Sequence, residues 1–128
     1  MDKQTLERAL RLAEEKFGLV FTKYEDGVAV SELTIEEHHL NQLNIPYGGY
    51  IFNMLDITCG AANLSAGGSG PTISANTEFI HGCSVGDHIT CTGKVDKCGR
   101  RICYASGEIR TDDGRLVARV NVTFCCIQ

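Results

Sequence analysis

The 128-residue chain has no apolar run near the roughly 20 residues that a membrane-spanning helix needs, so we do not expect it to cross a bilayer. It has no basic excess either: the net charge is −4 and the lysines and arginines are scattered, which leaves no electrostatic footprint for nucleic acid. Its first residues lack the apolar core and cleavage site of a secretory signal. We therefore expect a cytoplasmic protein whose partners include neither membrane nor nucleic acid.

Metal-ligand spacing is also missing. The seven cysteines contain no CxxC pair and no Cys/His set of zinc-finger spacing. We interpret them as reduced core thiols and expect neither a metal nor a cofactor. They are Cys59, Cys83, Cys91, Cys98, Cys103, Cys125 and Cys126.

Charge is nearly absent from the middle of the chain, where Asp56 is the only formally charged residue between Glu37 and Glu78. Burying an unpaired carboxylate costs several kcal/mol or forces it to take up a proton. Asp56 therefore needs hydrogen-bond donors, water or a ligand, and it is the first candidate for a functional residue.

The rest of the chain is typical of one globular domain, residues 1–128, with 43% apolar and 22% charged residues. Leu6, Leu10, Ala13 and Phe17 recur at helical spacing, which predicts a first helix that serves as a lid or brace and stops at Gly18. Two β-rich runs follow, joined by an Asp-Gly pair that favours a tight hairpin.

The segment 49–66 is apolar almost all round and predicts an enclosed helix. Four further strands are predicted after a glycine-rich turn, and the last of them alternates clearly between apolar and polar residues. This order predicts an α+β fold with one long helix against a curved antiparallel sheet. The four strands are expected at 72–81, 87–97, 101–111 and 115–126.

That order, together with Asn41, the Gly48-Gly49 pair and Asp56, resembles the hotdog-fold acyl-CoA thioesterases, in particular the phenylacetate-degradation (PaaI-like) type, over about residues 15 to 127. In that family the segment reads Asn, five residues, His-Gly-Gly, and an acidic residue seven positions later. Here Tyr47 stands where the histidine is expected. The resemblance implies a hotdog fold, in which a curved antiparallel sheet wraps around one long central helix, here preceded by an N-terminal helix.

The resemblance also implies an acyl-CoA substrate and a homodimer whose two sheets join edge to edge, often as a dimer of dimers, that is, a homotetramer. The active sites would lie at the subunit interface. By the same resemblance, the amide of Gly48 polarises the thioester carbonyl, with Gly49 beside it, and Asp56 drives hydrolysis. Ser74, eighteen residues beyond the acid, takes the place of a hydroxyl that holds the water or the carboxylate.

Elementary chemistry fits these roles. Amides at a helix N-terminus favour negative charge, and glycine lets a substrate come close. Asp56 lies about two helical turns, or roughly 11 Å, beyond the glycines, so one subunit cannot place both around one carbon. A second subunit could supply the missing half, with Asp56 acting as general base or as a nucleophile that forms a mixed anhydride. The sequence leaves these two routes open.

The other candidates carry alternatives. Asn41 could orient the glycine loop or donate to the substrate, and Asn44 competes with it for the role. Tyr47 can donate one hydrogen bond but cannot shuttle protons as a histidine does.

A basic cluster formed by Lys97, Arg100 and Arg101 lies at a predicted strand turn, where the resemblance implies contacts with the phosphates of coenzyme A. A solvated hairpin tip is the alternative interpretation of these three residues.

Histidines and the cysteine nearest the acid are assigned to surface or packing positions rather than to catalysis. These residues are His38, His39, His81, His88 and Cys59.

Three functions remain open at this stage. The first is an acyl-CoA thioesterase, a thioester hydrolase that releases free acid and coenzyme A. The second is a non-catalytic acyl-CoA-binding protein, suggested by Tyr47 in place of the histidine. The third is a hotdog hydratase or dehydratase, which is disfavoured because that class typically pairs an acid with a catalytic histidine.

Overall fold

The structure is a computed structural model that describes residues 3–126. Its helices and strands begin and end within one or two residues of the positions expected from the sequence. They are α1 (Lys3–Phe17), β1 (Val20–Glu25), β2 (Val28–Thr34), a 3-10 turn (Glu37–His39), α2 (Gly48–Ser65), β3 (Thr72–Phe79), β4 (His88–Cys98), β5 (Ile102–Thr111) and β6 (Leu116–Cys125).

The six strands form one antiparallel sheet in the order β1-β2-β4-β5-β6-β3. Helix α2 packs against the strands of this curved sheet, and α1 packs against α2 and β1. The predicted α+β architecture is therefore confirmed. Because β3 is an edge strand, its outer side has no neighbouring strand within residues 3–126.

The hairpin between β1 and β2 turns at Asp26 and Gly27, whose φ angles are 51° and 82°. Two successive positive φ angles are those of a type I′ turn, which matches the twist of paired strands and suits an Asp-Gly pair. The tight hairpin expected from the sequence is confirmed.

The central helix lies directly on the backbone of the two middle strands. A Cβ added at Gly93 would stand 3.1 Å from the backbone of Cys59, and one at Gly107 would stand 2.8 Å from its Sγ. These two glycines are paired across β4 and β5. Since neither carries a side chain, α2 can approach the sheet closely at Cys59.

The core lies between α2 and the inner face of the sheet. Met54 and Leu55 of the helix are completely buried. On β6, Val120, Val122 and Phe124 are buried while residues between them reach the surface, as the alternating pattern predicted. Within residues 3–126 we find no helix whose length and apolar content would let it traverse a membrane.

Candidate active site

The carboxylate of Asp56 is held by a hydroxyl from the edge strand. Asp56 is half-buried on α2, and its Oδ1 accepts a hydrogen bond of 2.7 Å from Oγ1 of Thr72 at the start of β3. None of the ion pairs within residues 3–126 involves Asp56. The lone charge of the apolar segment is thus fixed by a neutral donor and not by a neighbouring cation.

Thr72, and not Ser74, donates to the carboxylate, while the alternative role of Ser74, holding the water, stays a prediction. The register between β3 and β6 shifts between these two residues, and Ser74 is exposed on the edge strand. Such an irregularity changes which side chain faces the helix, and residue spacing alone does not reveal it.

A cavity of about 340 Å³, here called the acid cavity, opens beside Asp56. One wall is α1, including Leu10 and Phe17, and another includes Thr72 and Phe124. The first helix therefore covers the space next to the carboxylate, in agreement with the lid or brace inferred from its amphipathic pattern. The mostly apolar wall suits an acyl or aryl group.

The glycine pair forms the first turn of α2, with Tyr47 as the N-cap residue. The carbonyl of Tyr47 accepts hydrogen bonds from the amides of Tyr50 (3.0 Å) and Ile51 (3.3 Å). The amides of Gly48 and Gly49 come before the first intrahelical donors, as at every helix start. Both glycines are exposed, so a ligand can reach them.

A second cavity of about 290 Å³, the glycine cavity, lies beside Gly48 and is walled by Ile51, Phe79 and other residues. A Cβ added at Gly48 would stand 3.3 Å from the ring of Phe79. Asp56 does not line this cavity, and Gly48 does not line the acid cavity. Within one chain the two halves of the candidate site are separate, as the two-turn spacing predicts.

Asn41 organises the loop before α2. Its side-chain Oδ1 accepts from the backbone amides of Leu43 (2.8 Å) and Ile45 (3.4 Å), and its backbone amide donates to the carbonyl of Ile45 (2.8 Å). Asn44 adopts a positive φ of 62° in the same loop. Of the two roles left open for Asn41, orientation of the glycine loop agrees with these contacts. Asn44 occupies a turn position that asparagine favours.

His39 is almost completely buried, next to the first turn of α2. Its Nδ1 accepts a hydrogen bond of 2.9 Å from the amide of Glu36, which leaves the proton of the neutral ring on Nε2. Its ring meets Tyr50 edge-on, with 5.0 Å between centroids, and burial lowers its pKa. Of the surface and packing positions assigned to the histidines, His39 takes a packing position, in the 3-10 turn Glu37–His39.

The basic cluster of Lys97, Arg100 and Arg101 is exposed at the β4–β5 hairpin. None of these residues lines the acid cavity or the glycine cavity of the chain. Their contact with coenzyme A phosphates stays a prediction.

Buried thiols account for part of the cysteine content. Burial raises the pKa of Cys59 strongly and that of Cys91 to about 12, which disfavours a nucleophilic thiolate at either residue. The expectation of reduced thiols is wrong for Cys98 and Cys103, which form a disulfide. They are paired directly across the β4–β5 hairpin, a proximity that their spacing in sequence does not display.

A wider depression, of about 660 Å³, lies elsewhere, between the end of α1 and β2. Its lining includes Glu14, Glu15, Glu32 and Glu36. Since these carboxylates oppose an anionic ligand, we place the candidate site at the two smaller cavities.

Comparison with known structures identifies the architecture as the hotdog fold. The E. coli PaaI protein from the phenylacetic acid degradation operon superposes with a TM-score of 0.90 at 20% identity, covering 95% of this chain and 93% of that one. A hypothetical thioesterase protein from Streptococcus pneumoniae, crystallised with coenzyme A, superposes with a TM-score of 0.87 at 23% identity, covering 98% of this chain and 97% of that one. At these identities the likeness concerns the fold.

Sequence comparison gives the family. Residues 43–118 match the thioesterase superfamily model, and the chain belongs to that superfamily. Mouse acyl-coenzyme A thioesterase 13 is 25% identical over 93 residues, which are 70% of this chain and 66% of that protein. A protein from Archaeoglobus fulgidus with the name "Putative esterase" is 23% identical over 94 residues, and the match spans 73% of this chain and 61% of that protein.

Proposed function

We propose that this protein hydrolyses acyl-CoA thioesters to a free acid and coenzyme A. The observation that carries the proposal is the carboxylate of Asp56 on the central helix, fixed by Thr72 at 2.7 Å and facing an apolar cavity, while the same helix begins with two exposed glycines. A base and a set of amide donors are the two elements that thioester hydrolysis requires.

The edge strand suggests how two copies would bring these elements together. Thr72 at one end of β3 contacts Asp56, and Phe79 at the other end packs beside Gly48. If two β3 strands pair antiparallel about a two-fold axis at their middle, the Thr72 end of one strand lies opposite the Phe79 end of the other. Asp56 would then face Gly48 of the partner subunit, giving two identical sites per dimer.

The exposed surface of β3 supports such an interface. Ile73 and Phe79 of this strand and Ile80 just after it expose 55%, 58% and 47% of their surface in the single chain. An unpaired edge with large apolar residues normally requires cover. Pairing with a second copy would cover both the edge and these side chains.

In the proposed reaction the Gly48 amide of one subunit donates to the thioester oxygen, where negative charge develops as the carbonyl is attacked. The carboxylate of Asp56 in the other subunit takes a proton from water, and the oxygen of that water attacks the carbonyl carbon. The sulfur then leaves with the electron pair of its bond and takes up a proton. Direct attack by the carboxylate, with hydrolysis of the resulting anhydride, is the alternative route.

Work on a related protein supports the choice of residues. The hypothetical thioesterase protein of S. pneumoniae has been crystallised with an aspartate and, separately, a threonine replaced by alanine. The two replaced positions are sixteen residues apart, the same separation as between Asp56 and Thr72. The coenzyme A bound to that protein in another crystal supports acyl-CoA as the ligand class here.

The decisive test is Asp56→Asn, which keeps the shape and a hydrogen-bond acceptor but removes the base. We expect kcat for acyl-CoA hydrolysis to fall by about 10²–10⁴-fold, the usual contribution of a general base, while binding of the intact acyl-CoA persists. A panel of aryl, short-chain and medium-chain acyl-CoAs, followed by release of the free thiol, measures this.

The matched control is Asp26→Asn in the β1–β2 turn, where asparagine also accepts a positive φ. It should leave hydrolysis unchanged. If Asp56→Asn hydrolyses the panel as well as the parent protein, the assignment of the base is wrong. If the parent binds acyl-CoA tightly yet turns over none of the panel, the protein is a binding protein and the proposed activity is refuted.

A further inference from the structure

Three sulfur atoms meet where the β4–β5 hairpin touches the end of β6. Cys98 and Cys103 are joined as a disulfide, and Sγ of Cys126 lies 3.4 Å from Sγ of Cys103. All three sulfurs lie within 4.8 Å of one another. We call these residues the sulfur triad. It belongs to neither of the two cavities of the candidate active site.

The three sulfurs differ in their access to solvent. Cys103 is completely buried, Cys126 is half-buried and Cys98 is exposed. A dissolved thiol can therefore reach the disulfide at Cys98 but not at Cys103. Cys126 is the thiol placed against the buried end, and its backbone is fixed there by a hydrogen bond of 2.8 Å from its amide to the carbonyl of Arg101.

We propose that the sulfur triad is a thiol–disulfide exchange site that converts Cys98 into a site of reversible modification by small thiols. The Cys126 thiol gives its proton to solvent, and the thiolate attacks Sγ of Cys103. The Cys103–Cys126 bond forms, the Cys98–Cys103 bond breaks, and Cys98 leaves as a thiolate with the electron pair of that bond. One disulfide replaces another, so this step needs no oxidant.

The released Cys98 sulfur lies at an exposed and basic position. Lys97 precedes it in the chain, and Arg100 follows two residues later at the same turn. Neighbouring cations favour a thiolate, which is the reactive form of cysteine. The thiolate attacks a small disulfide such as oxidised glutathione, forms a mixed disulfide at Cys98 and expels one glutathione thiolate, so that the second step is also balanced.

Cys126 has a second effect, on the lifetime of the mixed disulfide. If Cys103 were a free thiol beside modified Cys98, it would expel the glutathione, because a neighbouring thiol acts at a high effective concentration. In the exchanged state Cys103 is bound to Cys126 and cannot do so. The modification therefore depends on Cys126, although Cys126 is not the residue modified.

Trypsin separates the two disulfides cleanly because cleavage after Lys97, Arg100, Arg101, Arg110 and Arg119 places the three cysteines on different peptides. The Cys98–Cys103 bond links peptide 98–100 to peptide 102–110. The exchanged bond links peptide 102–110 to peptide 120–128. Mass spectrometry of digests prepared after acid quenching and alkylation at low pH counts each species.

The full-length protein is equilibrated at pH 8 with reduced and oxidised glutathione in a series of ratios. We expect both linked pairs, and glutathione on peptide 98–100 in an amount that rises together with the 102–110 to 120–128 link. Cys126→Ser should abolish that link and lower glutathione on Cys98 by about tenfold. Cys98→Ser should leave Cys103 linked to peptide 120–128.

Cys125→Ser is the matched control, since Cys125 is adjacent to Cys126 but its sulfur is outside the triad. It should leave every species unchanged. The proposal is overturned if only the Cys98–Cys103 link is found at every ratio, if all three residues remain thiols in excess oxidised glutathione, or if Cys125→Ser removes the exchanged link. Since the readout is peptide mass, the outcome is independent of any thioesterase activity.

Discussion

Replacing Gly48 with proline removes one amide hydrogen from the start of α2 and changes little else in the backbone. Gly48 is the first residue of the helix, the position at which proline is best tolerated because its missing N–H has no intrahelical partner. Tyr47 before it has φ −56° and ψ 136°, a conformation that a following proline favours. The substitution is therefore a targeted deletion of the proposed donor to the thioester carbonyl.

The expected magnitude follows from the role of that donor. Loss of one hydrogen bond to a developing oxyanion costs about 3 kcal/mol in the barrier, so kcat should fall by roughly 10²–10³-fold. Any new side chain also meets the Phe79 ring, because a Cβ at position 48 would lie 3.3 Å from it. Gly48→Ala adds the same Cβ but keeps the N–H, and it serves as the matched control.

The assay is steady-state hydrolysis of the best acyl-CoA for the parent, Gly48→Ala and Gly48→Pro, with thermal unfolding of each. Gly48→Pro should lose at least tenfold more kcat than Gly48→Ala at similar Tm, since only the donor distinguishes them. If both variants keep the activity of the parent, the role of this amide is refuted. Equal loss in both would assign the effect to contact with Phe79.

Coexpression of Gly48→Pro with Asp56→Asn tests whether the site is shared. In a mixed dimer one site contains both defects and the other contains neither, so random pairing should restore about a quarter of the parent activity. A mixture no more active than its components would exclude a site built from two chains.

Three further changes are predicted. Thr72→Val removes the hydroxyl that holds the carboxylate, a charge-assisted hydrogen bond worth about 1.5–3 kcal/mol, so kcat/KM should fall about tenfold or more. Ser74→Ala should change kcat/KM little, and a larger loss in Ser74→Ala than in Thr72→Val would contradict the observed contact. Gly93→Ala places a Cβ 3.1 Å from the backbone of the central helix and should lower the free energy of unfolding by about 1–3 kcal/mol. Gly82→Ala, whose added Cβ has no neighbouring atom within 4 Å, should leave it unchanged, and chemical denaturation of both variants measures the difference. The pKa of His88 is raised by its carboxylate partners Asp112 and Glu32. The charged ring should therefore stabilise the fold fully below its unfolded pKa of about 6.5 and lose that effect as pH rises through its folded pKa. The Tm difference between the parent and His88→Gln should shrink from pH 6 to pH 9, and a difference that grows would contradict this sign.

The helices and strands could be predicted because their signals are local. The alternation along β6, the Asp26-Gly27 turn and the apolar surface of α2 are properties of neighbouring residues. A helix that is apolar all round must be enclosed, and a sheet is the structure that the remaining strands can build around it. This order of elements predicts one long helix against a curved sheet, and the family resemblance identified that arrangement as the hotdog fold.

Features that depend on register could not be predicted in the same way. Thr72 replaces Ser74 at the carboxylate because β3 is irregular between them, and an irregularity leaves no mark in residue spacing. Cys98 and Cys103 meet only because the hairpin places them opposite each other. His39 is buried by a 3-10 turn whose sequence, rich in charged residues, resembles a surface segment.

The position of α1 over the acid cavity has a consequence for substrate range. The residues that match the superfamily model begin at position 43, after this helix, whereas Leu10 and Phe17 of α1 form part of the cavity wall. Helix α1 joins the rest of the chain through Gly18, whose φ of 71° suits glycine. Chain-length preference could thus diverge among relatives through exchange of one amphipathic segment, with the hydrolytic groups and the sheet left intact.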